Sequence, residues 1–276
     1  MNLNESNYFS QEASQHYMSA SQLKRFMLCE SLALAEIRGD FIREETTSLL
    51  VGGFVDAHFS GTLSQYTAAH PQIYTNKGTL RADFQQALEL IDFIQADPLM
   101  MAMMQGDLQR ILTGEIAGVP FRGKLDVLLS AKQCRHIATL YPDLAEYLLM
   151  ADGAIVDLKI MRDLNAVFVP GAGRQSFIAA WQYDLQLAIY QALIGQKLPC
   201  FILAATKEKQ PDKALIHIPQ YMLDAALSSA ESLIPRYQHL KSHPEEATAC
   251  GKCAWCRQSK MLTGAVDADD LEGAVL

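Results

Sequence analysis

No stretch of the sequence approaches the roughly 18 uninterrupted apolar residues that a membrane-spanning helix needs, so a bilayer span is not expected. The opening residues, Met1 to Gln15, lack the apolar core of a secretory leader. A reducing, cytoplasmic compartment is therefore the expectation, and the six cysteines read as metal or redox candidates before disulfides. An excess of positive charge is also missing. The formal net charge of −8 argues against a general nucleic-acid coat, though a local basic groove remains compatible with it. No internal repeat is found. What remains is an ordinary globular balance, half hydrophobic and one fifth charged, over a length of 276 residues that one large domain or two small ones would fill.

The chain then divides by pattern. Residues 1–16 read as a flexible arm, 17–260 as a single domain, and 261–276 as an acidic tail. Ser19 or Ser21 is placed to cap a helix with Leu23, Phe26 and Met27 on one face, reaching Cys29 and continuing toward Gly39. Gly52 and Gly53 ahead of Phe54–Phe59 suggest a helix packed closely on a neighbour. Leu80–Thr113 is helical in pattern with a break at Asp97–Pro98, and its methionines are core filler. Glu115–Phe121 and Arg122–Leu129 read as two strands. A long connection with a short helix near Pro142–Met150 leads to a strand at Ala154–Lys159. Arg174–Ile194 reads as one helix, Pro199–Pro219 as a β-hairpin turning at Gln210–Lys213, and Tyr221–Leu240 as a helix.

The strand Ala154–Lys159 holds the first chemical signal. Residues two apart on a strand share a face, so Asp157 and Lys159 point together and Leu158 points away with Val156. Two charges on a core strand need a reason, because unpaired buried charge is costly. Either they form an ion pair, or Asp157 ligates a metal while Lys159 steadies an anion or a nucleophilic water. Further polar outliers follow in order: His58, Glu115, Asp126, then Tyr183, Gln186 and Tyr190 at the three- and four-residue spacings of one helix face. Read singly, His58 is a satisfied core histidine as readily as a ligand. Glu115 is a solvated hairpin residue as readily as an acidic ligand. Tyr190 and Gln186 are a packing residue and a loop cap as readily as site residues.

This ordered set resembles the PD-(D/E)XK nuclease superfamily, in particular its RecB-like and exonuclease VIII-like branches. The carrying residues are His58, Asp126 in Gly123-Lys124-Leu125-Asp126, Asp157-Leu158-Lys159, and Tyr183-x-x-Gln186-x-x-x-Tyr190. The resemblance implies an α/β (α+β) restriction-endonuclease-like core, a mixed central sheet flanked by helices. It implies Mg²⁺ or Mn²⁺ held by Asp126, Asp157 and the carbonyl of Leu158, with His58 and Glu115 as further ligands. Lys159 would then orient or deprotonate water, and Gln186 and Tyr190 would position these groups or touch DNA. Hard oxygen donors suit such ions. In-line phosphodiester hydrolysis needs both an activated water and neutralised phosphate charge. The connection between Asp126 and Asp157 is longer than usual for the superfamily, and would serve as an active-site cover or a subunit contact.

Cys250-x2-Cys253-x2-Cys256 packs three thiols into one short loop, a pattern suited to a single metal or cluster. Cys29 is the best fourth ligand. The stretch Ser19-x-Ser21-x-Leu23-x-x-Phe26-x-x-Cys29 resembles the opening of iron–sulfur RecB-like nucleases, which implies a [4Fe–4S] cluster joining the two termini. The last spacer is shorter than in those proteins and no proline follows Cys29, so Zn²⁺ and free thiols stay open. Basic residues near the motifs, Arg122, Lys124, Lys159, Arg162, Arg174, Lys207 and Lys209, are candidates for phosphate contact. The hairpin lysines would equally serve to keep an edge strand soluble.

The expectation is a metal-dependent DNA exonuclease. By resemblance it would resect duplex ends 5′-to-3′ in phage-type recombination, as a homo-oligomer partnered by a single-strand annealing protein. The alternatives are a repair or CRISPR-adaptation-type single-strand nuclease, or an inert metal-stapled DNA-binding module.

Overall fold

The computed structural model describes residues 1–262 together with 264, 265 and 267. Of the acidic tail expected over 261–276, residues 263, 266 and 268–276 lie outside the described residues. The chain divides into two compact units. One comprises Met1–Arg43, Thr113–Arg122 and Ala230–Leu276, the other Glu44–Leu112 and Gly123–Ser229.

The second unit is built on a five-stranded mixed sheet. Its strands are β1 (Asp107–Ile116), β2 (Val119–Ser130), β3 (Gly153–Met161), β6 (Cys200–Thr206) and β7 (Lys213–Ile218), in the order β1-β2-β3-β6-β7. The outer part of the β1–β2 hairpin, Thr113–Arg122, belongs to the first unit. Two short strands, β4 (Val167–Val169) and β5 (Gly173–Gln175), form a separate antiparallel ribbon. β2 pairs antiparallel with β3, β3 parallel with β6, and β6 antiparallel with β7. A parallel pair needs a crossover, and helix Tyr183–Ile194 lies in the β3–β6 connection. The α/β mixed sheet with flanking helices is thus present.

Alternation along β3 and β6 sorts the core onto two faces. Ala154, Val156, Leu158, Phe201 and Leu203 join a cluster with Phe54, Val55 and Ile91. Ile155, Met161, Cys200, Ile202 and Ala204 join another with Leu187, Ala188 and Tyr190. Several expectations need correction. Helix Ala131–Leu140, capped by a reciprocal Ser130–Gln133 box, occupies the long connection and buries Cys134, Ile137 and Ala138 in the first cluster. β1 begins at Asp107, inside the stretch read as helical. The helix expected over Arg174–Ile194 is broken: Arg174 lies in β5, Phe177–Ala180 is a short turn of helix, and Gln182 adopts φ +52° before Tyr183–Ile194 begins.

In the first unit, Ser19 caps helix Ala20–Leu28 by accepting from Gln22 N. Cys29 is extended rather than helical, and a second helix, Glu30–Arg38, follows to Gly39 at φ +82°. Residues 1–16 contain helix Gln11–His16, whose Ala13 is fully buried. Arg122 is 5 % exposed and donates to the Tyr8 carbonyl and to Ser14 Oγ (2.9 Å), so it is consumed internally rather than offered to phosphate. Among the described residues no helix is long and apolar enough to cross a membrane.

The glycine pair of helix Thr47–Phe59 is asymmetric. A Cβ on Gly53 would lie 2.7 Å from the Tyr66 hydroxyl, which is itself pinned to the Leu50 carbonyl at 2.8 Å, whereas a Cβ on Gly52 meets nothing within 4 Å. Gly53→Ala is expected to lose about 1–3 kcal/mol by overpacking. Gly52→Ala should gain up to about 1 kcal/mol of helix propensity. Denaturant unfolding of the two variants measures the contrast.

Candidate active site

β2 stops pairing with β3 at Val127↔Val156. Where the next ladder bond would fall, the side chain of Asp126 takes over: its Oδ2 accepts from Leu158 N at 2.9 Å. A carboxylate is thus held at the sheet's split by the strand that carries its partners. On β3, Asp157 and Lys159 share a face, as strand alternation requires, and form an ion pair. Asp157 is 1 % exposed. Its Oδ1 accepts from Gln186 Nε2 (3.0 Å), and its Oδ2 makes no hydrogen bond but faces the Lys159 ammonium. Gln186 Nε2 also donates to Tyr190 Oη at 3.1 Å, and the Tyr183 ring centre lies 5.3 Å from Lys159 Nζ. Lys159 Nζ stands 3.5 Å from the Leu158 carbonyl oxygen. Gly123 is needed here, because a Cβ at that position would press to 3.0 Å on the Tyr190 ring.

The helix residue that joins this set is Asp56, not His58. Asp56 lines a cleft with Asp126, Leu158, Gln109, Val127 and Phe59. Its carboxylate accepts from Gln109 Nε2 at 3.2 and 3.5 Å. At about 100° per residue, two positions along a helix turn through about 200°, so His58 looks away from Asp56. His58 Nε2 instead lies 3.3 Å from Gln95 Nε2. Glu115 is exposed, on the part of β1 that falls in the first unit. Asp126, Asp157, Leu158, Lys159, Gln186 and Tyr190 are brought together, while Asp56 and Gln109 are the residues sequence reasoning missed. Gln109 carries one signal that only the backbone reveals, a φ of +53° in a non-glycine strand residue.

Charge is concentrated and mutually adjusted. Burial, then the Asp157 charge, push Asp126 well above the usual carboxylate range despite the nearby Lys159. Asp56 is likewise raised, mainly by burial, against the pull of Lys159 and Lys124. Burial alone would lower the Lys159 ammonium, but Asp157 and Asp126 outweigh it and hold it protonated. Carboxylates kept at a desolvation cost beside one another are the arrangement a cation would relieve. The donors are hard oxygens, and Asp126 and Asp56 crowd carboxylates around the Asp157–Lys159 ion pair, so the residues present fit a divalent ion.

A second cluster stands in the first unit. The Sγ atoms of Cys29, Cys250, Cys253 and Cys256 lie within 4.8 Å of one another, with Cys29–Cys256 at 3.6 Å and Cys250–Cys256 at 3.9 Å. Backbone N–H groups aim at the sulfurs: Cys250 N at Cys29 (3.4 Å), Lys252 N and Cys253 N at Cys250 (3.4 and 3.3 Å), and Cys256 N at Cys253 (3.4 Å). Burial works to raise Cys250, but the amide donors outweigh it and bring the thiol down to about 6. Burial pushes Cys253 up to about 12. Four thiols around one point with such donors form a metal-ready nest.

Removing one partner of the buried pair leaves the other uncompensated. Asp157→Ala is expected to cost about 3–5 kcal/mol, most of it recovered in the Asp157→Leu, Lys159→Met double variant, as unfolding curves would register. Asp126→Asn has the opposite sign. A carboxyl whose folded pKa is raised loses folding free energy as pH climbs past the unfolded value near 3.8. The amide cannot ionise, so this variant should melt higher than wild type at pH 7 and no higher near pH 3.

The family model described as a PDDEXK-like domain of unknown function (DUF3799) matches residues 19–137 and 146–259. A crystal structure named "Putative exonuclease", from Eubacterium rectale, is 35% identical to this chain, with a TM-score of 0.87 over 100% of both chains. A structure named SSO0001 is 13% identical over 78% of this chain and 84% of its own, with a TM-score of 0.27, and carries no argument. Comparison with curated proteins gave no match. With its sheet, its Asp126/Asp157/Lys159 set and the family model in agreement, the chain belongs to the PDDEXK-like domain family.

Proposed function

We propose that the protein is a metal-dependent deoxyribonuclease acting on DNA ends, with its catalytic centre at Asp56, Asp126, Asp157 and Lys159. The observation that carries this reading is the gathering of three carboxylates and a half-buried ammonium around the point where β2 and β3 part. Asp126, Asp157, Asp56 and the Leu158 carbonyl would hold Mg²⁺ or Mn²⁺. Such an ion, when bound, neutralises phosphate charge and lowers the pKa of water.

The chain's own groups supply the rest. Gln186 fixes the Asp157 carboxylate through Oδ1, leaving Oδ2 directed toward Lys159. Tyr190, packed under Gly123, holds Gln186 in place. Lys159, protonated in this state by its carboxylate neighbours, orients the attacking water through Nζ and balances charge on the phosphate. Exonuclease action is favoured by the 35% identity to the crystal structure named "Putative exonuclease". Polarity 5′-to-3′, a homo-oligomeric ring and a single-strand annealing partner rest on the resemblance to exonuclease VIII-like enzymes.

For the cysteines we propose one structural Zn²⁺. Four thiolates at a Zn–S length of about 2.3 Å span tetrahedral edges of about 3.8 Å, and the 3.6 and 3.9 Å separations match that. A [4Fe–4S] cluster, which the resemblance implies, would set each thiolate on a different iron and draw the sulfurs farther apart, so the close spacing of these pairs supports zinc.

Incubation of linear and covalently closed duplex DNA with Mg²⁺ or Mn²⁺ tests the enzyme reading. Linear DNA should be degraded from its ends and closed circles spared, with Asp56→Asn and Lys159→Met each slowing cleavage by about a hundredfold or more. His58→Ala should cleave at close to the wild-type rate. Equal cleavage by wild type and Asp56→Asn would overturn the placement. For the cysteine site, the protein should be colourless with one zinc per chain, and chelation should lower its melting temperature. A brown protein absorbing near 400 nm would contradict zinc.

A further inference from the structure

The β4–β5 ribbon is absent from the main sheet and interrupts the chain between the strand bearing Asp157 and Lys159 and the helix bearing Gln186 and Tyr190. Two strands of three residues do not hold themselves together in water. This ribbon is anchored by Val167, which with Leu164 packs against the core cluster that contains Phe177, Ile178, Leu187 and Tyr190. Strand alternation then turns the next residue outward, and Phe168 is 69 % exposed. Its cross-strand partner is Arg174. Directly opposed residues share a face, so a phenyl ring and a guanidinium stand side by side on the exposed side of the ribbon.

Exposed groups of the same two kinds flank the ribbon in sequence. Arg162, with its side chain 90 % exposed, precedes it and pairs with the adjacent Asp163. Trp181 follows, 53 % exposed. Exposed aromatic rings interleaved with guanidinium groups combine π-faces for bases with positive charge for phosphates. Paired bases inside a duplex hide their faces, so the chemistry suits unpaired nucleotides.

We infer that the ribbon, through Phe168 and Arg174, is a stacking platform for unpaired nucleotides of the strand fed to the catalytic centre. The inference rests on the nuclease reading and names the form of DNA that the site receives. The ribbon lies in the chain between β3, which bears Asp157 and Lys159, and the helix Tyr183–Ile194, which bears Gln186 and Tyr190.

The test is fluorescence anisotropy with a labelled oligothymidylate and a blunt duplex, in buffer without added Mg²⁺ or Mn²⁺ so that no strand is cut. Phe168→Leu, which keeps an apolar side chain but removes the ring, should weaken oligothymidylate binding about 5- to 100-fold and blunt-duplex binding less than about twofold. Phe168→Tyr should bind like wild type. Arg174→Ala should reduce the slope of log affinity against log salt by about 0.7. Unchanged oligothymidylate binding by Phe168→Leu overturns the platform and leaves the ribbon to a protein partner, as does equal weakening of both DNA forms. If wild type still degrades linear DNA in those cases, the nuclease reading stands. If wild type neither binds nor cuts DNA, both fail.

Discussion

The candidate site depends on the ion pair between Asp157 and Lys159, buried where one strand of the sheet leaves another. Two charges at that depth are a stability liability unless each meets a partner. Here the protein supplies partners on every side: Gln186 for one carboxylate oxygen, the ammonium for the other, and the Tyr183 ring near the ammonium itself. The neighbouring carboxylates of Asp126 and Asp56 add acidic groups beyond the Asp157–Lys159 pair. The centre is therefore poised to accept positive charge, and the carboxylates' raised proton affinity expresses the same readiness.

Backbone geometry converts that charge arrangement into a site. Because β2 stops pairing at Val127, a side-chain oxygen rather than a carbonyl meets Leu158 N. Asp126 is therefore part of the sheet's hydrogen bonding and part of the cleft at once. The helix Tyr183–Ile194 begins only after the left-handed Gln182, and this offset places Gln186 and Tyr190 over β3. In the other unit, Cys29 meets the loop 250–256: it is extended, closes one helix and opens another, and accepts from Cys250 N through its sulfur.

Much of this was legible in the sequence because it follows from period alone. The shared face of Asp157 and Lys159 is strand alternation, and the common face of Tyr183, Gln186 and Tyr190 is helical spacing. The return of Cys29 to the terminal triplet is what the resemblance carried by Ser19, Ser21, Leu23, Phe26 and Cys29 implies. Asp56 was missed because Val51–Phe59 is nearly apolar all round, so the pattern does not reveal which polar residue faces the sheet. His58, the more familiar ligand type, drew attention one half-turn away from the site. Gln109 was invisible for another reason: an amide on a strand is unremarkable until its φ of +53° and its bond to Asp56 are seen. The end of β5, Arg174 and Gln175, was absorbed into an over-long helix because Phe177, Trp181 and Leu185 keep a helical spacing through the break, and β4 was not read as a strand at all.

The central claim is that Asp56, Asp126 and Asp157 form one cation site while His58 lies outside it. Anomalous diffraction from crystals soaked in Mn²⁺ tests it most directly. The account predicts a manganese peak within coordination distance of the Asp126 and Asp157 carboxylates and the Leu158 carbonyl oxygen, with Asp56 turned toward it. A peak ligated by His58, or no peak between Asp126 and Asp157 when manganese binds elsewhere, would contradict it.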